Sequence, residues 1–422
     1  MERILRFIQK YIIPKKVYAL GQPIYHYKMA LLGAIIYRFP SRQINVVAVT
    51  GTKGKTSVVE LVGAILEEAG FKVALSSTLR FKIGPQSERN MYKMTIPGRF
   101  FVQKFLRRAV GAGCQYAVIE MTSEGARQYR HKFIELDALI FTNLAKEHIE
   151  SHGSYEKYVE AKLKIAKALE QSRKLKRILV VNKDDNEASR FLEFNVPEKY
   201  TYSLKDTEPL ILKEDGLEIT IDGQKINSHL IGKFNIYNIL AAITYTKSQG
   251  VKIDTIKKAL ERFEMIRGRV ERIAGGQNFD VIVDYAHTPD SLEKLYGAFP
   301  TKRLICVLGN AGGGRDKWKR GEMANIADEY CWNVILTNED PYDEDPFEIV
   351  KSMEKEIKKV PCRIVMDRRE AIHEALKIAV AGDAVLITGK GTDPYIMGPN
   401  GTKTPWDDAE VVREELNKIL KR

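Results

Sequence analysis

The stretch VVAVTGTKGKTS, residues 46–57, passes from an apolar run through a glycine-rich loop into a helix. Glycines let backbone N–H groups converge on phosphate oxygens, and the N-terminus of the following helix adds partial positive charge. We expect Lys55 to reach the β- and γ-phosphates of a nucleotide and the Thr56 hydroxyl to bind Mg²⁺. Standard loops of this type have glycine at position 49, so Val49 makes the match a variant, G-T-x-G-K-T. The alternative is a glycine-rich turn with an incidental lysine, but strand, loop and helix follow in the required order.

Outward from this loop, short apolar runs alternate with longer amphipathic stretches, which predicts an α/β fold with a mostly parallel sheet. A small β excursion with Asp-Gly turns interrupts the pattern at residues 200–230. We predict three regions: a basic helical N-terminal region over 1–43, a central ATP-binding P-loop domain over 44–267, and a C-terminal Rossmann-like α/β domain over 268–422. The predicted strands are 45–50, 72–76, 116–120, 138–142 and 177–182 in the central domain, and 279–284, 303–308, 332–337, 363–365 and 384–388 in the C-terminal one.

The net charge of +12 is uneven, because residues 1–44 hold eight basic residues against one acid. A nucleic-acid-dependent ATPase is therefore a weak alternative, since basic residues beyond this arm form no stripe interleaved with aromatic residues. No apolar run approaches the roughly 20 residues that cross a bilayer. The four cysteines lie far apart without metal-ligand spacing, which predicts reduced thiols in a cytoplasmic protein.

The N-terminal region is predicted to hold two helices, one before Pro14 and a second over about 25–37. Residues 1–13 are basic and amphipathic, a character that permits peripheral contact with an anionic membrane surface. The alternative is that this helix packs on its neighbour.

Further motifs occur at 51–56, 120–123, 142–144, 147–148, 152–153, 161–162, 235 with 238, 284–290 and 389–391. They follow the order found in the Mur ligases, and over residues 44–422 the chain resembles that family. The resemblance implies an ATP-dependent ligase that adds an amino acid to a UDP-N-acetylmuramyl-peptide-like carboxylate in peptidoglycan precursor synthesis, and we expect a monomer. A carboxylate is a poor electrophile, so the γ-phosphoryl group would first make an acyl phosphate that the amine attacks. A related folylpolyglutamate-type ligase with another acceptor stays open.

The resemblance assigns residues to ATP and to two Mg²⁺ ions. Lys162 is expected to be N6-carboxylated and to support the second metal beside His148; a lysine at such a helix position more often reaches for solvent. His287 and Arg315 are expected to act on the phosphates as catalytic residues with Lys55 and Lys162. The metal residues are Thr56, Glu120, His148 and Lys162, and the nucleotide residues are Gly51, Thr52, Lys53, Gly54, Lys55, Thr56, Ser57, Asn235, Asn238 and Arg269; the two asparagines could instead be helix-capping amides.

Departures from the family pattern bear on the choice of amino acid. Tyr342 stands where diaminopimelate-adding members have an arginine that grips the distal carboxylate, and acids flank it on both sides. An anionic loop favours an ammonium group, so we expect a lysine-like diamino acid; alternatively, the acids merely cap a helix N-terminus. The predicted acceptor and amino-acid residues are Thr95, Ser123, Gln128, Arg130, Glu339, Asp340, Tyr342, Gly389 and Asp393.

Overall fold

The computed structural model describes residues 15–147, 149–314 and 317–420, with side chains from residue 21 onward except at 149. Its α-helices are α1 Lys15–Ile36, α2 Lys55–Glu68, α3 Arg99–Gly111, α4 Ser123–Arg127, α5 Ile149–His152, α6 Tyr155–Glu170, α7 Ala188–Leu192, α8 Lys233–Ser248, α9 Ile253–Arg262, α10 Pro289–Tyr296, α11 Lys319–Tyr330, α12 Pro346–Glu354, α13 Arg368–Ile378 and α14 Asp408–Ile419. Its strands are β1 Asn45–Thr50, β2 Val73–Ser76, β3 Arg80–Ile83, β4 Gln86–Arg89, β5 Tyr116–Glu120, β6 Ala138–Phe141, β7 Ile178–Asn182, β8 Glu198–Tyr202, β9 Leu210–Lys213, β10 Gly216–Ile221, β11 Gln224–Ser228, β12 Glu271–Arg272, β13 Asp280–Val283, β14 Leu304–Leu308, β15 Asn333–Leu336, β16 Cys362–Ile364, β17 Ala384–Ile387, β18 Tyr395–Met397 and β19 Lys403–Pro405.

The described chain divides into two compact units, and the first contains 15–145, 156–202 and 241–251. Its sheet has eight strands in the order β4-β3-β2-β5-β1-β6-β7-β8, and all neighbours from β2 to β8 are parallel. β1 lies between β5 and β6, and five of its six residues are buried, because a parallel sheet is covered on both faces. Val49 pairs with Glu120 and Thr50 with Phe141, so these strands end at one edge. That edge is where an α/β sheet binds ligands.

The second unit contains 146–155, 203–240 and 252–420. Its main sheet has the order β12-β13-β17-β14-β15-β16, parallel except for β12. Helices cover both faces of this sheet, and two buried clusters, one around Leu295, Met323 and Leu386 and another around Ile305, Ile372 and Val412, form its core. The predicted β excursion is the antiparallel sheet β11-β10-β9.

The predicted α/β class and the ten predicted strands are confirmed, with ends that shift by one residue at several places. The antiparallel strands β3 and β4 were not predicted, because their charged and polar residues lack the apolar run of a central strand. Helix α1 differs from the prediction: it begins at Lys15 and continues through Pro23. The predicted helix before Pro14 lies outside the described residues. Within 15–420, leaving out 148, 315 and 316, no helix is long and apolar enough to cross a bilayer.

The expectation of four separate thiols is wrong for one pair, since Cys306 and Cys331 form a disulfide with a Cα–Cα distance of 6.2 Å. The reason is the crossover topology, in which β14 and β15 are parallel neighbours and Cys331 ends the helical connection between them. Two residues 25 apart in the chain thus become adjacent in space. Cys114 and Cys362 are free.

Candidate active site

The loop after β1 is shaped by contacts that admit only glycine at its first position. Gly51 has a φ of 149°, and a Cβ there would lie 1.9 Å from the Thr142 hydroxyl oxygen. Asn143 holds the loop through its backbone carbonyl, which accepts from Thr52 N, and through its side-chain oxygen, which accepts from Lys53 N. Gly54, with a φ of 82°, precedes the first residue of α2. The loop is therefore preformed between two strand ends, as a phosphate-binding loop requires.

Two lysines donate to the same carbonyl of this loop. Lys55 Nζ lies 2.9 Å from Gly51 O and 2.8 Å from Thr52 O. Lys162, on α6 and only 1% exposed, places its Nζ 2.7 Å from Gly51 O. The structure thus brings Lys55 and Lys162 together at the glycine of the loop, while their roles toward ATP and metal stay predictions. Burying an ammonium group costs free energy, so the burial of Lys162 beside the phosphate loop calls for a functional reason.

Tyr158 is a residue of this region that the sequence reasoning missed. Its hydroxyl lies 2.8 Å from the Thr52 hydroxyl, which also accepts a bond from Ala145 N, so Thr52 can donate to Tyr158. The ring of Tyr158 lies 4.9 Å from Lys162 Nζ. Its position one helical turn before Lys162 was the available signal, because side chains four residues apart share a helix face.

Glu120 ends β5 fully buried, and both of its carboxylate oxygens accept bonds from Thr78. Glu120 Oε1 accepts from Thr78 N and Glu120 Oε2 from Thr78 Oγ1, each at 3.0 Å. The Thr78 hydroxyl also lies 2.8 Å from the Thr95 hydroxyl. Thr78 was not predicted, although it follows the buried strand β2, which pairs with β5. The carboxylate predicted for Mg²⁺ is therefore linked through Thr78 to a predicted acceptor residue.

The donor set fits a magnesium ion, because the hydroxyl of Thr56 and the carboxylate of Glu120 are hard oxygen ligands in nearly buried positions. Among the described residues, no three His, Cys, Asp or Glu side chains form a metal-binding cluster. His148, the predicted ligand of the second metal, lies outside the described residues, so that second site stays a prediction, as does the carboxylation of Lys162.

The predicted acceptor residues after β5 form one hydrogen-bonded segment. Thr122 caps α4 by accepting from Gly125 N, which places the buried Ser123 at the first position of the helix. Arg130 Nη2 donates to Gln128 Oε1 at 2.7 Å, and the Gln128 amide donates to a Glu124 oxygen at 2.6 Å. Glu124 therefore orients Gln128.

In the second unit, Asn235 and Asn238 are buried at the start of α8. Asn238 Nδ2 donates to Asn235 Oδ1, and Asn235 Nδ2 donates to the carbonyl of Ile231, both at 2.8 Å. These bonds stabilise the first turn of the helix, as expected if the two asparagines act as helix-capping amides. Their assignment to adenine stays a prediction.

His287 follows β13 and is held by the chain around it. His287 Nδ1 lies 2.7 Å from the carbonyl of Tyr285, and its Nε2 lies 3.4 Å from Glu147 Oε1. The Arg269 guanidinium stacks over the Tyr285 ring at 4.4 Å, and burial raises the pKa of Tyr285 well above its ordinary value. Arg269 and His287 thus flank one neutral tyrosine. Arg315, the third predicted residue of this group, lies outside the described residues.

The acid-rich loop over 338–346 contains acids that are bound to cations. Lys390, fully buried, donates to Asp340 Oδ1 at 2.8 Å, Asp393 Oδ2 at 3.1 Å and Tyr395 O at 2.6 Å. These carboxylates raise the pKa of Lys390 against the opposing effect of burial, so the cluster is ionic. The structure brings together Asp340 and Asp393 around a lysine that neutralises one of their two charges, and their role toward the amino acid stays a prediction.

Glu344 is likewise neutralised, whereas Glu339 is not. Glu344 accepts from Gly314 N at 2.7 Å and lies 3.1 Å from Arg320 and 3.2 Å from Lys317, which lowers its pKa to about 2. Glu339 is buried, and its Oε2 accepts no hydrogen bond from the described residues. Burial, and then Asp340, raise the pKa of Glu339. The acids around this loop that keep an uncompensated charge or lack a cation partner are therefore Glu339 and the Asp340–Asp393 pair, which shares one lysine.

Tyr342 occupies the left-handed region, with a φ of 52°, and its N–H donates to Met397 O. Its ring packs where a Cβ on Gly313 would stand, 3.1 Å away. Gly389, with a φ of 102°, leaves room for Glu339, because a Cβ there would lie 2.6 Å from Glu339 Oε2. The predicted residues Glu339, Asp340, Tyr342, Gly389 and Asp393 are thus grouped within the second unit.

Comparison with known proteins gives matches along most of the chain. The Mur ligase middle domain matches residues 49–246, and the Mur ligase, glutamate ligase domain matches residues 268–391. The chain is 36% identical over 411 residues to the UDP-N-acetylmuramoyl-L-alanyl-D-glutamate--2,6-diaminopimelate ligase of Syntrophomonas wolfei, covering 93% of this chain and 82% of the relative. It is also 36% identical over 429 aligned positions to the UDP-N-acetylmuramyl-tripeptide synthetase of a Roseiflexus species, covering 95% and 84%.

Among solved structures, the folylpolyglutamate synthase of Mycobacterium tuberculosis complexed with ADP and AMPPCP matches with a TM-score of 0.70. The match covers 94% of this chain and 95% of that one at 14% identity, which is similarity of fold.

Proposed function

The chain belongs to the Mur ligase family of ATP-dependent ligases, and we propose that it joins a diamino acid such as lysine to a UDP-N-acetylmuramyl-peptide-like carboxylate. The product would be a precursor of peptidoglycan, and the reaction would release ADP and phosphate. The proposed enzyme is a cytoplasmic monomer that uses Mg²⁺.

One observation carries this proposal: within the first unit, Thr78 connects the Glu120 carboxylate to Thr95. Glu120 ends the strand beside the phosphate loop, whereas Thr95 belongs to the predicted acceptor segment. A ligase must hold the γ-phosphoryl group and the acceptor carboxylate close together, since the first bond forms between them. A simple nucleoside triphosphatase has no need for an acceptor residue at this place.

The proposed reaction begins when the acceptor carboxylate attacks the γ-phosphorus, which forms an acyl phosphate and releases ADP. The amino group then attacks the acyl carbon, and phosphate leaves. Thr56 and Glu120 would hold Mg²⁺, which neutralises phosphate charge when it is bound. Lys55 would turn from the loop carbonyls to the phosphate oxygens, while Lys162, carboxylated on Nζ, would supply a carboxylate for a second ion.

The choice of amino acid rests on Tyr342 and Glu339. A tyrosine hydroxyl offers one neutral hydrogen bond to the distal end of the amino acid, whereas an arginine offers a charged fork that binds a carboxylate. Glu339 lies close to Asp340, and its buried carboxyl group would gain a partner from an ammonium. Both features favour lysine over diaminopimelate, the substrate in the name of the Syntrophomonas relative.

The test is ADP release with UDP-N-acetylmuramyl-L-alanyl-D-glutamate as the acceptor and a panel of amino acids. We expect ADP release that requires both substrates, with lysine giving a higher kcat/KM than meso-diaminopimelate. Release of ADP only with a pteroyl-glutamate acceptor would place the chain in the folylpolyglutamate branch instead. ADP release without any acceptor would contradict a ligase.

We also propose that residues 1–13 contact an anionic membrane surface. No Asp or Glu occurs between Glu2 and Glu60, and the outer face of α1 exposes Ile24, Leu32 and Ile35 around Lys28. Such a surface attracts acidic lipids and tolerates their acyl boundary. Cosedimentation of the full chain with phosphatidylglycerol vesicles, but not with phosphatidylcholine vesicles, is expected; equal partition into both would contradict the proposal.

A further inference from the structure

Helix α1 brings a histidine to a pair of arginines beside the predicted acceptor segment. Arg99 is the first residue of α3, and its Nη2 donates to Nδ1 of His26 on α1. Arg99 Nε donates to the backbone carbonyl of Gln128 at 3.1 Å, and the amide oxygen of Gln128 accepts from Arg130 at 2.7 Å. Three segments far apart in the sequence therefore meet at one place.

The cluster carries more positive charge than its carboxylate balances. Glu124 is the acid that acts on it, and Arg127 already lies 3.0 Å from Glu124 Oε2. Among residues whose side chains the structure describes, no carboxylate lies within ion-pairing distance of Arg99 or Arg130. Burial lowers the pKa of both arginines, and Arg130 lowers that of Arg99 further. An incoming anion would relieve this repulsion.

The cluster also contains N–H groups that have no hydrogen-bond acceptor among the described residues. The guanidinium of Arg99 can only donate, so Nδ1 of His26 accepts and the neutral ring carries its proton on Nε2. That Nε2, like Nε of Arg130, is buried without a hydrogen-bond partner among the described residues. The N-terminus of α3 adds partial positive charge at the same place through its helix dipole. No side chain compensates this charge by capping, since the N-cap residue is Gly98.

We propose that His26, Arg99 and Arg130 bind the diphosphate of the nucleotide-linked acceptor. The proposal rests on the proposed function for the identity of the acceptor. Two guanidinium groups match the two charges and the planar oxygen pairs of a diphosphate, whereas one arginine suffices for a carboxylate. Helix α1 would thus supply part of the acceptor site, next to the residues predicted for the muramyl peptide.

The test is equilibrium binding by calorimetry to the full chain, saturated with a non-hydrolysable ATP analogue and Mg²⁺ so that the phosphate loop is filled. The probes are UDP, inorganic pyrophosphate, uridine, and N-acetylmuramyl-L-alanyl-D-glutamate without a nucleotide. We expect UDP and pyrophosphate to bind and uridine not to bind. Arg99→Gln should weaken the binding of both at least tenfold, and His26→Phe several-fold.

Lys28→Gln is the matched control, because Lys28 lies on the exposed face of the same helix and loses the same charge. It should leave Kd unchanged. Arg99→Lys keeps the charge without the fork and should give an intermediate Kd, which separates a binding defect from unfolding. Pyrophosphate should also raise the pKa of His26, about 4 without ligand, as followed by its ring proton resonance; a merely structural histidine would not respond.

Equal pyrophosphate affinity in wild type and Arg99→Gln, or no binding in wild type, would overturn the proposal. Binding of the nucleotide-free muramyl dipeptide with the same dependence on Arg99 would overturn the diphosphate in favour of a carboxylate. If ligase turnover fails with every acceptor while pyrophosphate binding still depends on Arg99, the proposed function is wrong and the anion site stands.

Discussion

The phosphate loop and the acid-rich loop over 338–346 both contain charged residues, but the charge stays available for a ligand in the first and is largely neutralised by protein side chains in the second. At the phosphate loop, the ammonium of Lys55 donates to the carbonyls of Gly51 and Thr52 within the loop, so a positive charge lies where an anion would bind. In the acid-rich loop, Lys390 and Arg320 come from outside the loop and bind Asp340 and Glu344. The sign of the charge in a motif follows from its residue types, whereas the net charge it presents to a ligand depends on partners far along the chain.

The largest effect should come from removing the cation or the hydroxyl of the phosphate loop. We expect Lys55→Ala and Thr56→Ala to lower kcat by about 10²-fold or more, because loss of one phosphate contact costs several kcal/mol in the transition state. ADP release measures the effect, and circular dichroism checks the fold. Thr56→Ser keeps the hydroxyl and should retain most activity. Turnover of Lys55→Ala within tenfold of wild type would remove the loop from the mechanism.

Lys162→Ala should also inactivate the enzyme, since the proposed carboxylated lysine would be lost. Short carboxylic acids such as acetate should then restore part of the activity by replacing the missing carboxylate. Lys164→Ala is the control, because Lys164 lies exposed on the same helix and its loss should change little. A failure of carboxylic acids to rescue Lys162→Ala, together with no carbamate carbon resonance in the folded wild-type protein equilibrated with ¹³C-bicarbonate, would contradict carboxylation.

In the acid-rich region, Lys390→Met should lower the unfolding free energy of the second unit. Removing one partner of a buried ion cluster leaves its carboxylates without a counter-charge and costs about 3–5 kcal/mol of unfolding free energy. The pKa of Lys390 is raised, so its stabilisation is present below the ordinary lysine pKa and is lost only as pH rises through the higher folded value. Denaturant titrations at pH 7 and pH 9 should therefore show the same difference. Lys403→Met, at an exposed lysine, should change the midpoint little.

The smallest predicted effect concerns Tyr342. Tyr342→Arg should shift the ratio of kcat/KM toward meso-diaminopimelate by about tenfold, since a charge-assisted pair with the distal carboxylate is worth roughly 1.5–3 kcal/mol and Glu339 opposes it. Tyr342→Phe keeps the ring against Gly313 and removes one neutral hydrogen bond, so it should change the preference much less than Tyr342→Arg. A wild-type preference for diaminopimelate would falsify the argument from this loop.

The sequence predicts well what is local. The order of strand, glycine loop and helix identifies the phosphate loop because it occupies one continuous stretch of the chain, although Asn143, which holds the loop, lies 90 positions from Lys53. The periodic apolar runs likewise predict ten strands, since burial on both faces leaves a direct pattern in the residues.

What the sequence does not show are contacts between distant residues. Asp340 and Lys390 are 50 positions apart, and His26 and Arg99 are 73 apart. Nothing in the letters around an acid says whether a lysine from another loop will neutralise it. Thr78 was not predicted for a related reason. A threonine after a strand is common, and its contact with Glu120 follows from the pairing of β2 with β5.

The disulfide between Cys306 and Cys331 turns the segment between them into a covalent ring. That ring contains Gly312, Gly313 and Gly314, together with the exposed Lys317. A trypsin cut after Lys317 would leave both fragments joined, so the digested chain would keep its intact mobility on a denaturing gel until a thiol was added. Topologically, a break in this glycine-rich segment does not divide the molecule.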